Sequence, residues 1–169
     1  MVYEDAVFFR EQQKFNQLWV RLLVFLSAAI VCYGAIQHVL GRPFGNNPAS
    51  DTGMVIFLIT FGLLFPIFML SLKMLTEVHS SGLYVRLYPF HRSFREFPFE
   101  AIKSYEVREY SPLRDYGGWG IRFGPKGQAY NVSGNKGVLF EFKNGKKLMV
   151  GSQKPDELVA AICRGMNFI

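Results

Sequence analysis

The chain has 169 residues, half of them hydrophobic, and a formal net charge of +6. The apolar residues are concentrated in two runs near the N-terminus, which excludes a single soluble domain as a description of the whole length. Cys32 lies in the first of these runs and Cys163 near the C-terminus, so the two cysteines do not form a disulfide framework and give redox chemistry little support.

In chain order, residues 1–21 contain helix-forming residues without Gly or Pro from Tyr3 onward. They predict an amphipathic lead-in helix with Tyr3, Trp19 and Arg21 at a membrane interface, Trp19 and Arg21 at headgroup depth. No charged residue lies between Arg21 and Arg42, or between Asp51 and Lys73. Each run, as a helix rising about 1.5 Å per residue, is long enough to cross a hydrocarbon core of roughly 30 Å. The spans are predicted at about 22–40 and 53–73, forming a transmembrane helical hairpin over 22–75. The first run exceeds the length of a signal-peptide core, and the three acidic and three basic side chains before it are not a signal-type basic region.

The link at 41–52 carries Gly41, Pro43, Gly45, Asn46, Asn47 and Pro48, which is turn chemistry. Basic residues resist translocation: Arg10, Lys14 and Arg21 precede the hairpin, Arg42 alone sits in the link, and fifteen Lys and Arg follow. Both termini are therefore expected in the cytoplasm, with the link outside an inner membrane. Within the first span, Ala28, Cys32 and Ala35 recur at helical spacing and predict a helix-packing face. Pro66 predicts a kink, since it removes one intrahelical hydrogen bond.

From residue 76 to 169 the texture changes to apolar–polar alternation broken by Gly, Pro and Asn, the pattern of short strands. Leu83, Val85 and Leu87 share one face, as do Trp119, Ile121 and Phe123. Further strands are expected near 94–98, 103–110 and 128–132. Asn144-Gly145 between two apolar runs predicts a two-residue type I′ hairpin, with Phe140 opposite Met149 and Leu139 opposite Val150. Apolar groups on both faces require a cover for the second. A terminal helix at 155–165 opens with Pro155, Asp156 and Glu157 and aligns Leu158, Ala161 and Ile162. The fold class is a membrane α-helical hairpin plus a C-terminal α+β domain, a small antiparallel β-barrel or sandwich capped by that helix.

The segment GWGIRFGPKGQAYNVSGNKGVLFEFKNGKKLMVGSQKPDELVAAI, with PFEAIKSYEV before it, resembles the bacterial pleckstrin-homology-like domains. REQQKF ahead of two spans is similar to small two-span membrane proteins that carry such a domain C-terminally. The resemblance covers nearly the whole chain and implies a binding or assembly module with no catalytic residues to carry over. Ser80-Ser81-Gly82 is short and uncharged where phosphoinositide-binding relatives carry a long basic loop, so inositide recognition is not implied.

The glycines of GGWGIRFGPKG match neither phosphate-loop spacing. His38, His79 and His91 are dispersed, no metal cluster is expected, and Glu77 with His79 reads as an ordinary surface pair. Asn131-Val132-Ser133 is a glycosylation sequon that the charge count places on the wrong side of the membrane. Basic residues remain: Arg92 and Arg95 between strands, and Lys143, Lys146 and Lys147 at the hairpin tip, which are candidate contacts to lipid phosphates or a partner. The resulting expectation is a membrane-anchored interaction or scaffold module, an accessory subunit of a larger assembly, without catalysis or a cofactor. Its partners are membrane lipids and a membrane protein or a second copy, with no nucleic acid. The alternative is a sensor of the anionic membrane surface.

Overall fold

The computed structural model describes residues 6–15, 17–42 and 49–167. Tyr3 and the link residues Pro43, Gly45, Asn46, Asn47 and Pro48 lie outside them. The chain divides into two compact units, Phe15–Leu72 and a discontinuous one made of Met1–Lys14 with Lys73–Ile169.

The first unit is helical. Helix α1 (Leu18–Val39) buries Val20, Val24 and Val31. The return run comprises α2 (Asp51–Phe57), a π-helical stretch (Leu58–Leu64) and α3 (Phe65–Ser71). Both runs are long and apolar enough to cross a membrane. The wide turns have a local cause at Pro66, which has no N–H for the carbonyl of Gly62 and whose ring would crowd it. The Phe65 N–H bonds back to the Thr60 carbonyl, five residues earlier, and opens the helix ahead of the proline. Ser50 Oγ accepts from the Gly53 N–H at 3.2 Å and caps α2. His38 Nε2 meets Asp51 Oδ1 at 2.8 Å and joins the link-side ends of the two runs.

The second unit contains two open sheets. One has the order β1-β2-β3-β4, from Phe9–Lys14, Lys73–Val78, Gly82–Tyr88 and Arg95–Pro98. The other has the order β5-β8-β9-β7-β6, from Ile102–Glu109, Lys136–Phe142, Lys147–Gly151, Gly127–Asn131 and Gly120–Gly124. Among the described residues no sheet closes on itself, so of the expected antiparallel barrel or sandwich no closed barrel is found, and one pair, β7 with β9, is parallel. Helix α5 (Pro155–Met166) buries Leu158, Ala161 and Ile162, as its apolar face predicts.

The lead-in helix expected over 1–21 is corrected: residues 9–14 are strand β1. All six pair with β2, from Phe9↔Val78 to Lys14↔Lys73. Phe9, Glu11 and Gln13 point inward while Arg10, Gln12 and Lys14 point out. Tertiary pairing overrides the helix propensity of this segment. The domain therefore starts before the hairpin and resumes at Lys73, not at residue 76.

The β8–β9 hairpin is also corrected, by one residue. Leu139 pairs with Met149 and Phe140 with Leu148. Gly145 alone has positive φ, at 79°, whereas a type I′ turn needs two such residues. The Gly145 N–H bonds to the Phe142 carbonyl and the Phe142 N–H to the Lys146 carbonyl, both at 2.9 Å, which closes a three-residue loop with Gly145 in the left-handed position. A one-residue slip exchanges faces, so Met149 joins Leu139 and not Phe140. Tyr110 and the short helix α4 (Pro112–Tyr116) supply the cover over that face, through the cluster Tyr110, Tyr116, Ala129, Leu139 and Met149. Ile121 and Phe123 alternate onto one face of β6, but β6 is an edge strand and that face is not buried, with Phe123 78% exposed.

Candidate functional site

Two polar side chains of β1 fix the approach to α5. Ser152 Oγ donates to Glu11 Oε2 at 2.6 Å, the Gln153 N–H to Glu11 Oε1 at 2.8 Å, and Gln13 Nε2 to the Gly151 carbonyl at 2.8 Å. All three acceptor–donor sets are buried or nearly so, where an unmade bond costs more than in water. On the outer side of the same strand, Arg10 Nε contacts Glu77 Oε1 and His79 Nε2 contacts Glu77 Oε2, each at 2.9 Å. The Glu77–His79 pair read as ordinary surface is thus a part-buried bridge to β1.

The concave feature of this unit is an open cavity of about 1290 Å³ that wraps the β8–β9 tip. Its apolar wall includes Leu139, Phe142 and Met149; its basic rim includes Lys126, Lys146 and Lys147. Asp115 organises one side: Lys126 Nζ lies 2.8 Å from Oδ1, and the Ser111 N–H donates to Oδ2 at 2.8 Å. The Lys126 hydrogen bond, then that of Ser111, holds its carboxyl below the usual range. Burial pushes the Tyr110 hydroxyl up to about 12. Tyr116 is raised by burial and by the neighbouring Asp115 charge.

The predicted basic residues do not form one cluster. Lys143 and Lys146 are exposed at the tip, and Lys147 pairs in register with Glu141, whose carboxyl Lys103 holds below its ordinary range through a 2.6 Å contact. Burial lowers the His91 pKa, and the charge of Arg95, which begins β4, lowers it further. Arg92 is exposed in the β3–β4 loop. The Lys143 N–H bonds to the Ala101 carbonyl at 2.9 Å. This places the tip beside the turn that follows Pro98, the register partner of Gly82. The opposite end of β3 is Tyr88, six steps of about 3.3 Å away.

In the helical unit, Ala28 and Ala35 are half-buried but Cys32 is exposed, so the buried seam runs through Val20, Val24 and Val31 and the three small residues do not share it. Trp19 and Arg21 are exposed in the first turn of α1. Asn131, the sequon residue, is fully buried in β7. Cys163 Sγ lies 2.9 Å from Tyr105 Oη, and that contact, with burial, raises the tyrosine to about 12. Among the described residues no group of three or more His, Cys, Asp or Glu side chains is placed to hold a metal ion.

Sequence reasoning missed the polar residues of β1 and the cavity. Glu11 and Gln13 break the apolar alternation that marks strands, and the cavity is assembled from segments between residues 97 and 149 that no local pattern joins. A family model described as a family of unknown function (DUF6141) matches residues 2–168. No curated protein and no solved structure matches the chain.

Proposed function

We propose that this chain, which belongs to that family of unknown function, is a membrane-anchored interaction module whose β domain docks a partner protein. The observation that carries the reading is the cavity around the β8–β9 tip, with an apolar wall at Leu139, Phe142 and Met149, a basic rim, and Phe123 exposed beside it. Apolar floors ringed by polar groups are the usual form of docking surfaces. The anchor is the helical hairpin, inserted between two strands that pair with each other at Lys14↔Lys73. Because β1 and the C-terminal segment belong to one compact unit, both ends of the hairpin return to the same domain, as two spans with a common side require. Lys and Arg excess on that side supports a cytoplasmic domain at an inner membrane. The sequence resemblance to pleckstrin-homology-like domains supports a binding or assembly role, and an accessory subunit is the form we propose for it.

The test is site-specific photocrosslinking of the full chain in its own membranes, with a photoreactive residue in place of Phe123. A discrete adduct that disappears in Lys146→Glu supports the reading. A chain that yields no adduct and purifies in mild detergent as a lone monomer contradicts it.

A further inference from the structure

We propose a second, separate site, a clamp for anionic phospholipid headgroups at the sheet end that carries Lys14, Lys73 and Tyr88, with the β3–β4 loop as its second jaw. The proposal rests on the membrane-anchor part of the reading above and not on partner docking. It moves the lipid contact away from the Lys143, Lys146 and Lys147 tip.

Three observations converge. Register places Lys14 opposite Lys73 and Lys73 opposite Tyr88, so the three stand in one row on one side of the sheet. Like charges directly opposite in a sheet repel, and among the described residues no carboxylate pairs with Lys14, Lys73, Arg86 or Arg92; the sheet's own ion pair is Arg10–Glu77, four pairs along from Lys14↔Lys73. The row therefore has the character of a site awaiting an anion. Second, Tyr88 is lined by cations, with Lys73 Nζ at 5.5 Å and the Arg86 guanidinium at 5.8 Å from its ring centroid. Arg86 also bonds the His91 carbonyl at 3.1 Å, which ties the loop to the row. That loop presents Phe90, 60% exposed, and Arg92. Aromatic rings interleaved with Lys and Arg are the composition that settles at headgroup depth.

Third, the chain leaves the sheet after Lys14 and enters α1 at Leu18; it leaves α3 at Ser71 and re-enters the sheet at Lys73. Lys14 and Lys73 are thus the sheet residues nearest in sequence to the two runs, and juxtamembrane cations of this kind are attracted by an anionic surface whose potential decays over about 8 Å. The Lys143 to Lys147 tip lies toward the other end of β3. The occupant that fits is the phosphate of an anionic lipid in the bilayer, since the same surface offers cations for the charge and rings for the interfacial layer.

The experiment is hydrogen–deuterium exchange of the full chain in nanodiscs of phosphatidylcholine alone or mixed with phosphatidylglycerol. Exchange in residues 88–94 is expected to slow by about tenfold in the mixed discs, while residues 143–147 exchange alike in both. Arg92→Glu and Lys73→Glu each abolish the difference, as does about 0.5 M salt. Unchanged protection in β8 confirms that a variant is folded, and Arg92, exposed in a loop, is the substitution with the smaller folding risk. Loop exchange that ignores lipid charge, or slowing confined to 143–147, overturns the clamp and leaves the anchor standing. A chain that alkaline carbonate strips from the membrane overturns the anchor and the clamp together.

Discussion

Ser152 Oγ donates a 2.6 Å hydrogen bond to Glu11 Oε2 across 141 positions of sequence. It joins the strand that precedes the helical hairpin to the segment between β9 and α5, three positions before Pro155, so the domain cannot be completed until both ends of the hairpin have been made. Glu11 accepts a second bond from the Gln153 N–H and is 8% exposed.

Removing that carboxylate leaves the buried Ser152 hydroxyl and the part-buried Gln153 N–H without their acceptor. Glu11→Ala is expected to destabilise the domain by about 3 kcal/mol, the range for a buried hydrogen bond to a charged group. Thermal unfolding of the full chain in mild detergent reads this. An unchanged midpoint contradicts the lock.

At Gly145 the backbone alone sets the cost. Nothing lies within 4 Å of a Cβ built there, and φ is +79°. Gly145→Ala should cost about 1 kcal/mol, Gly145→Val more, and Gly145→Asn least, since Asn tolerates the left-handed region. The same melting experiment ranks them; an order set by side-chain size alone would refute the turn assignment.

How far the sequence reveals these features differs element by element. Helix α5 is legible because Pro155, the acidic first turn and Leu158–Ala161–Ile162 all agree. The Asn144-Gly145 turn is legible in place but not in register, because the dipeptide does not say whether Asn144 also takes positive φ. Strand β1 is not legible, since its inward positions are Phe9, Glu11 and Gln13, and only the distant Gly151–Gln153 segment gives the polar pair a reason to be buried. The cavity is illegible for the same reason: Leu139 and Met149 reach one wall only through a pairing that the turn's third residue sets.

Alkaline titration separates the tyrosines. Tyr110 and Tyr105 are raised to about 12, so each favours its neutral form in the folded state. A raised folded pKa stabilises fully below the unfolded value of about 10, and the contribution is lost as pH rises through about 12. Phenolate absorbance should therefore show late-titrating tyrosines that appear together with alkaline unfolding, and Tyr110→Phe should remove one of them. Titration of Tyr110 near 10 in the folded chain would contradict its burial.

Asp115 works in the opposite direction. Its carboxyl is held below the ordinary range, so its contribution is present above the unfolded pKa of about 4 and is lost as pH falls through the lower folded value. Asp115→Asn at neutral pH should loosen α4 much as acid does, measured as faster amide exchange at residues 112–116 relative to β8. Equal protection in the variant would remove Asp115 as the organiser of that cavity wall.

The anchored hairpin is tested most directly by labelling with a membrane-impermeant maleimide in intact cells, in a Cys32→Ala chain carrying either Ala49→Cys or the native, exposed Cys163. The account predicts that position 49 labels from outside while Cys163 labels only after the membrane is opened. Labelling of both from the same side would contradict it.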